Sequence, residues 1–305
     1  MEFLQSFYWK YAVFLQALCI NMSNEGWRMT QTEKASHLLE LHQGKDSLVL
    51  VNVWDAVSAC IVEQAGFPAI ATSSAAVANA LGYADGQFVP WSEMVSAIRR
   101  ITGAVEAPVT ADIEAGFSSD LQALEKSIED VIAAGAVGVN LEDALPGHGE
   151  FGPLYSIADQ TARIQAARKI GKQRAIHLVI NARTDAYWQA GVKPEDALRN
   201  ALERGKAYLK AGADCVFVPG LKNPEHIRTV VQELNAPVNI LATAGAPSIQ
   251  ELKNLGVKRI SMGSGPMRAT MGLLRRIAQE AQSAGTYKLM VEGAVSYDEM
   301  NDLFK

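Results

Sequence analysis

Three cysteines in 305 residues, none close to another, are too few for a disulfide framework or a zinc knuckle. Cys19, Cys60 and Cys215 instead point to a reduced, cytoplasmic setting. The chain has no basic block and a net charge of −5, which argues against an electrostatic nucleic-acid surface. No GxGxxG follows any apolar run, so a dinucleotide-binding sheet is a weak expectation. An uninterrupted apolar run of about 20 residues, the length of a membrane span, is missing too. The nearest approach is Tyr11–Ile20, apolar and aromatic but broken by Gln16 and preceded by Lys10. Glu2 is acidic where a signal peptide would be basic, and no small-x-small cleavage pattern follows. Met29-Thr30-Gln31-Thr32-Glu33 resembles a second start. Residues 1–28 are therefore expected to be an extension outside the fold, and residues 29–305 a single domain.

What the chain does have is one unit repeated from residue 48 onward: apolar strand, polar loop, amphipathic helix, glycine, next strand. Candidate strands are 48–54, 69–74, 109–114, 138–143, 177–183, 215–219, 238–243 and 259–263. They are short, continuous and rich in Val and Ile, as strands covered on both faces should be. Gly66, Gly135, Gly212 and Gly256 each stand a few residues before a strand, where a helix ends. Asp55, Ser92, Ser118 or Ser119, and Asn223 are candidate helix caps. Eight such units predict an α/β protein of the (β/α)₈ TIM-barrel class. Residues 266–304 offer more helix than the eighth unit needs. That surplus suits packing on a neighbouring subunit, hence a homo-oligomer, dimer or tetramer.

Acidic residues close three of the strands. Asp112 and Glu114 end one, Glu142 and Asp143 the next, and Arg183 with Asp185 the one after. In a parallel α/β fold these C-terminal ends share one rim, where ligands bind. Asp112 and Glu114, at i and i+2, should share one side of their strand, with Glu142 joining from the adjacent one. Hard oxygen donors without His or Cys suit Mg²⁺ or Mn²⁺. The same acids would otherwise cap helices or pair with barrel Lys and Arg. Arg183, expected across the ring, would grip a substrate carboxylate; its alternative is a structural pair with Asp185 or the acids. The small-residue run Ser73-Ser74-Ala75 offers backbone N–H groups to an anionic oxygen. Asp85, in a Gly-flanked loop, is either a turn residue or a fourth carboxylate.

Asn52-Val53-Trp54-Asp55-Ala56, Thr72 to Ala76, Leu81 to Gly86, Ala111 to Gly116, Asn140 to Asp143 and Ala182 to Ala186 occur in this order at fitting spacings. Together they resemble the phosphoenolpyruvate mutase/isocitrate lyase superfamily over roughly residues 33–275. The resemblance implies a Mg²⁺-dependent barrel that acts on small 2-oxo or 2-hydroxy carboxylates through an enolate. It also implies last helices swapped between subunits. Matched position by position, Asp112 would be the direct metal ligand, with Glu114 and Glu142 reaching the metal through water and Asp85 close by. Ser73, Ser74 and Ala75 with Arg183 would clamp the substrate carboxylate.

The departures lie in the parts that select the reaction. Lyases of the superfamily carry a Lys-Lys-Cys-Gly-His or Lys-Arg-Cys-Gly-His loop; here the loop reads Ala144-Leu145-Pro146-Gly147-His148-Gly149-Glu150, without cysteine. Pro219 and Thr243 stand where methylisocitrate lyases have Glu and Asn, and Glu114 replaces a common Asp. A lyase also needs an acid to quench the carbanion, for which His148 in the expected mobile loop 144–155 is the candidate. Decarboxylation demands less, because CO₂ leaves without a proton transfer. Carbon–carbon cleavage of an oxo-acid therefore ranks first, with decarboxylase or hydrolase chemistry above an aldol-type lyase and phosphonate mutase chemistry third. The alternative from another class is a non-catalytic barrel that binds a small acid. Arg183, Glu142 and His148 are the expected catalytic residues.

Overall fold

β-Branched runs too apolar to face water on either side, joined by helices, leave a closed parallel sheet as the way to bury both faces. The computed structural model shows that arrangement. It describes residues 28–118, 120–147 and 152–305. Residues 1–27, on which the expected extension rests, lie outside them. The strands are β1 (Leu48–Leu50), β2 (Asn52–Val53), β3 (Ile70–Thr72), β4 (Val109–Asp112) and β5 (Gly138–Glu142). β6 (Val179–Arg183), β7 (Cys215–Phe217), β8 (Val238–Leu241) and β9 (Arg259–Ser261) complete the sheet. All pair in parallel, in the order β1-β9-β8-β7-β6-β5-β4-β3-β2.

The expected first strand is split in two. β1 pairs with β9 and β2 with β3, so the nearly closed ring of a (β/α)₈ barrel is completed where the chain changes partner at Val51. Asn52 stitches this seam. Its Nδ2 donates to the Thr72 carbonyl (2.8 Å), and its Oδ1 accepts from the Met262 and Gly263 amides (both 2.8 Å). These side-chain bonds satisfy backbone groups that the interrupted ladder does not.

Helix α1 (Gln31–Gln43) lies under the N-terminal ends of the strands. Leu38 packs where any side chain on Gly138, the first residue of β5, would collide with it. The caps follow local chemistry. Asp55 and Ser58 form a reciprocal box at α2 (Ala56–Gln64), and Asn223 caps the helix Pro224–Leu234. Asp120, rather than Ser118, caps the helix Leu121–Ala133, while Pro90 precedes Trp91–Ala104 with no side-chain cap, so Ser92 has no such role. Gly212 ends the helix Pro194–Ala211 at φ 110°, a conformation that favours glycine. Beyond β9 the surplus is present as helices Gly265–Ser283, Lys288–Val291 and Tyr297–Asp302. Met267 is the one buried residue of the first, and Leu274, Met290, Val291 and Tyr297 are exposed.

Candidate active site

The ends of β4, β5 and β6 deliver their charged residues to one cavity of about 590 Å³. Asp112 is the last residue of β4. Its N–H donates to Thr72 Oγ1 (2.8 Å), and its Oδ2 accepts from Ser74 N–H (3.1 Å) and Ser74 Oγ (2.8 Å). Ser74 opens the short helix α3 (Ser74–Ala80), for which Ser73 is the cap. The small-residue run thus holds a carboxylate of the protein itself. Ser73 N–H is committed to the Val53 carbonyl and Ser74 N–H to Asp112, leaving Ala75 N–H without a partner among the described residues.

Glu114 lies past the end of β4, so strand alternation does not aim it. Its φ of 51° is left-handed, a strained setting for a non-glycine residue and one that recurs at functional sites. The turn brings Glu114 into the same cavity as Asp112. Burial, with the charges of Asp85 and Asp112 nearby, pushes its carboxyl up to about 8. Asp85 itself sits on an exposed loop at the cavity edge. Glu142, the last residue of β5, is also raised by burial, while Arg183 opposes the shift.

Arg183 is not across the ring. It ends β6, directly beside Glu142 in the register of the sheet. Consecutive strand ends explain the correction, since sequence-adjacent parallel strands here are neighbours in space. Asp185 grips the guanidinium with two bonds, Nε to Oδ1 at 2.6 Å and Nη2 to Oδ2 at 2.8 Å. Nη1 lies 2.6 Å from Glu142 Oε2. That contact is an ion pair off the line of a hydrogen bond, since Glu142 Oε2 has no hydrogen-bonding partner. Trp188 faces the guanidinium carbon from 4.9 Å. Burial works against the charge, but Asp185 and Glu142 outweigh it and keep Arg183 cationic. The expected structural pairing of Arg183 is present, and the residue also lines the cavity.

Glu114 Oε1 and Glu142 Oε2 are buried acceptors without a hydrogen bond. Buried acceptors of this kind are costly unless a cation or water satisfies them; Arg183 serves Glu142 Oε2, which leaves Glu114 Oε1. Asp85, Asp112, Glu114, Glu142 and Asp185 line the cavity together with the half-buried Arg183, and among the described residues no His or Cys joins them. This donor set fits a hard divalent cation such as Mg²⁺. Among the described residues no three His, Cys, Asp or Glu side chains are grouped to hold a metal by themselves.

The expected acid His148, with Glu150, lies outside the described residues. The stem of its loop is described: Leu145 N–H donates to Pro153 O (2.9 Å), and Tyr155 N–H to Asp143 O (2.7 Å). Asp143 is pinned by Arg204 and Tyr208. Sequence reasoning did not single out Asn140, Trp188, Lys222 and Arg268, which also line the cavity. Asn140 had a signal, since it stands two residues before Glu142 on one strand. Lys222 and Arg268 lie in loop and helix-start positions without periodicity.

The family model described as phosphoenolpyruvate phosphomutase matches residues 38–282. The chain belongs to that family. The 2-methylisocitrate lyase of Halalkalibacterium halodurans is 28% identical over 298 residues, covering 90% of this chain and 94% of its own. The oxaloacetate decarboxylase of Pseudomonas fluorescens SBW25 is 30% identical over 244 residues, 76% and 80% of the two chains. The solved structure of a phosphonomutase-like protein from Burkholderia cenocepacia J2315 superposes with a TM-score of 0.78 at 37% identity, covering 83% of this chain and all of the other. This phosphoenolpyruvate mutase family member is thus an enzyme of the lyase and mutase superfamily, with the carboxylate-rich rim described above. Among the described residues no helix is long and apolar enough to cross a membrane.

Proposed function

We propose that this family member cleaves a carbon–carbon bond of a small 2-oxo carboxylate with Mg²⁺ bound, the decarboxylation or hydrolysis of an oxaloacetate-like acid being its best-supported reaction. The observation that carries this reading is the pairing of a half-buried, doubly gripped Arg183 with an acid-rich pocket in which a buried carboxylate oxygen, Glu114 Oε1, has no hydrogen-bonding partner among the described residues. Asp112 would hold the metal directly, and Glu114 and Glu142 would act from beside it. When bound, Mg²⁺ would stabilise negative charge on the 2-oxo oxygen as the bond breaks.

The protein's own residues do the rest. Arg183 is fixed by Asp185 before substrate arrives, so its remaining donors meet a carboxylate without reorganisation. Ser74 keeps Asp112 oriented, and Ala75 N–H remains available to a substrate oxygen. Trp188, in the loop after β6, and Phe217, at the end of β7, shield Arg183 from water and strengthen its field. Decarboxylation is favoured over aldol cleavage because the loop 144–155 carries no cysteine to serve as the acid, and CO₂ leaves without a proton transfer. The exposed apolar C-terminal helices support a homo-oligomer, and the composition supports a cytoplasmic enzyme.

The test is enolate formation. Purified protein with Mg²⁺ should catalyse deuterium uptake at the methyl group of pyruvate, and should turn over oxaloacetate faster than methylisocitrate, dimethylmalate or phosphonopyruvate. Tight Mg²⁺-dependent oxalate binding without any exchange would instead mark a binding protein.

A further inference from the structure

A charged residue in the middle of a barrel core is expensive unless something needs it there. Arg259, the first residue of β9, is 1% exposed, and among the described residues no carboxylate lies within ion-pair distance. Its contacts are neutral. Nη1 lies 3.3 Å from His42 Nε2, and Nη2 donates to Asn140 Oδ1 at 3.1 Å. His42 Nδ1 lies 2.7 Å from the Leu38 carbonyl, which only accepts, so Nδ1 carries the proton and Nε2 presents a lone pair. Burial pushes His42 down to about 4, which keeps the imidazole neutral.

The same logic removes the usual ambiguity of an amide. Arginine only donates, so the Asn140 atom it touches must be oxygen. That oxygen also accepts from Asn181 Nδ2 at 2.7 Å. Both of its lone pairs are used, by Arg259 and by Asn181, and the amide plane cannot flip without losing two bonds. Asn140 Nδ2 is then the end that remains. It makes no hydrogen bond to a described residue and is not among the buried unpartnered atoms, while Asn140 lines the cavity beside Asp112, its sheet neighbour.

We infer that Asn140 Nδ2 donates a hydrogen bond to an anionic oxygen of the bound acid, and that Arg259, steadied by His42, is the positioning residue that holds this donor toward the cavity. The inference rests on the proposed acid-binding function of the same site. It explains why polar side chains (Asn140, Asn181, Arg259, and His42 beneath them) occupy a level of the barrel that branched apolar residues usually fill. The charge of Asp112 in turn favours the cationic form of Arg259. Burial lowers its ordinary value only to about 10, so it stays cationic at neutral pH.

Oxalate, a planar dianion of the size of pyruvate enolate, is the probe, titrated calorimetrically with saturating Mg²⁺ against the full chain. Asn140→Asp removes the donor and supplies Arg259 with a partner. Arg259→Met removes the lock and an unpaired buried charge. Both variants should melt no lower than the parent yet bind oxalate about tenfold or more weakly, the loss expected of one hydrogen bond to a charged oxygen. Arg259→Lys, which can still donate to Asn140 Oδ1, should recover part of the affinity. A purely structural role predicts the reverse pattern, altered melting with unchanged binding. Oxalate affinities within twofold of the parent in both variants would overturn the inference while leaving the acid-binding function standing. Failure of the unsubstituted protein to bind oxalate would overturn that function and this inference with it.

Discussion

The exits of β4–β6 and the exits of β7–β9 face one cavity but are built from different material. The first side is buried and anionic: Asp112, Glu114, Glu142 and Asp185 gather around Arg183 at strand ends and the turns just past them. The second side contributes Gly220, Lys222, Thr243, Ser264 and Arg268, with no acid among its cavity residues. Lys222 and Arg268 are exposed, and among the described residues Lys222 Nζ reaches only the Ala244 carbonyl at 2.9 Å. Charge held rigidly out of water acts strongly, whereas charge on a solvated loop is screened and adaptable. The contrast divides labour within the site. The buried side is suited to generating and stabilising an enolate, and the exposed side to choosing what is attached to it.

The largest expected effect belongs to the buried side. Asp112→Ala should weaken Mg²⁺-dependent oxalate binding by more than about 100-fold, measured by calorimetry, because it removes the carboxylate that the Ser74 amide and hydroxyl together orient. An equal loss on truncating Lys222 would dissolve the distinction between the two sides.

Glu114 sharpens the comparison through pH. Its carboxyl is held up near 8 in the metal-free fold, against an ordinary value of 4.5. Between those values the folded state keeps a proton that the unfolded chain has released, so stability falls as pH rises through the window. Metal-free Glu114→Gln should therefore melt roughly 5 °C or more above the parent at pH 9, with the gap closing toward pH 4. Added Mg²⁺ should stabilise the parent more at pH 9 than at pH 6, because a cation competes with the proton. Thermal melts with and without chelator would check both; parallel curves for parent and variant would show that Glu114 is not under this strain.

The smallest effect is expected on the exposed side. Lys222→Ala and Arg268→Ala should each weaken a substrate bearing a second anionic group by about 3- to 10-fold while leaving pyruvate exchange nearly unchanged, and the effect should shrink in high salt. Steady-state kinetics with oxaloacetate and pyruvate side by side would measure it. Equal losses for both acids would place these cations in the common machinery instead.

Much of the buried side was legible in the sequence because its chemistry is local. A β-branched run ending in a carboxylate places that carboxylate at a strand exit, and parallel strands gather their exits on one rim. Asp112, Glu142 and Arg183 are where that logic puts them, each the last residue of its strand. The exposed side was not legible, since Lys222 and Arg268 carry no periodicity and reach the cavity by the course of their loops. Glu114 falls between the two. Its place in the site was readable, but strand alternation was the wrong reason, as the chain turns left-handed there.

By itself the amino-acid sequence determined eight strand–helix units, the ring they form, the end of that ring where charge accumulates and the family to which the chain belongs. These follow from patterns within a few residues: alternation, capping, a glycine after a helix. Only the tertiary structure decided which charges meet. It set Arg183 against Asp185 and Glu142 rather than across the barrel, turned the Ser74 amide onto Asp112, split the first strand at Val51 and hung Asn140 from Arg259, 119 residues away along the chain. The physical reason is range. Backbone propensity is settled by near neighbours, but burial, ion pairing and hydrogen-bond direction depend on atoms that only closure of the barrel brings together.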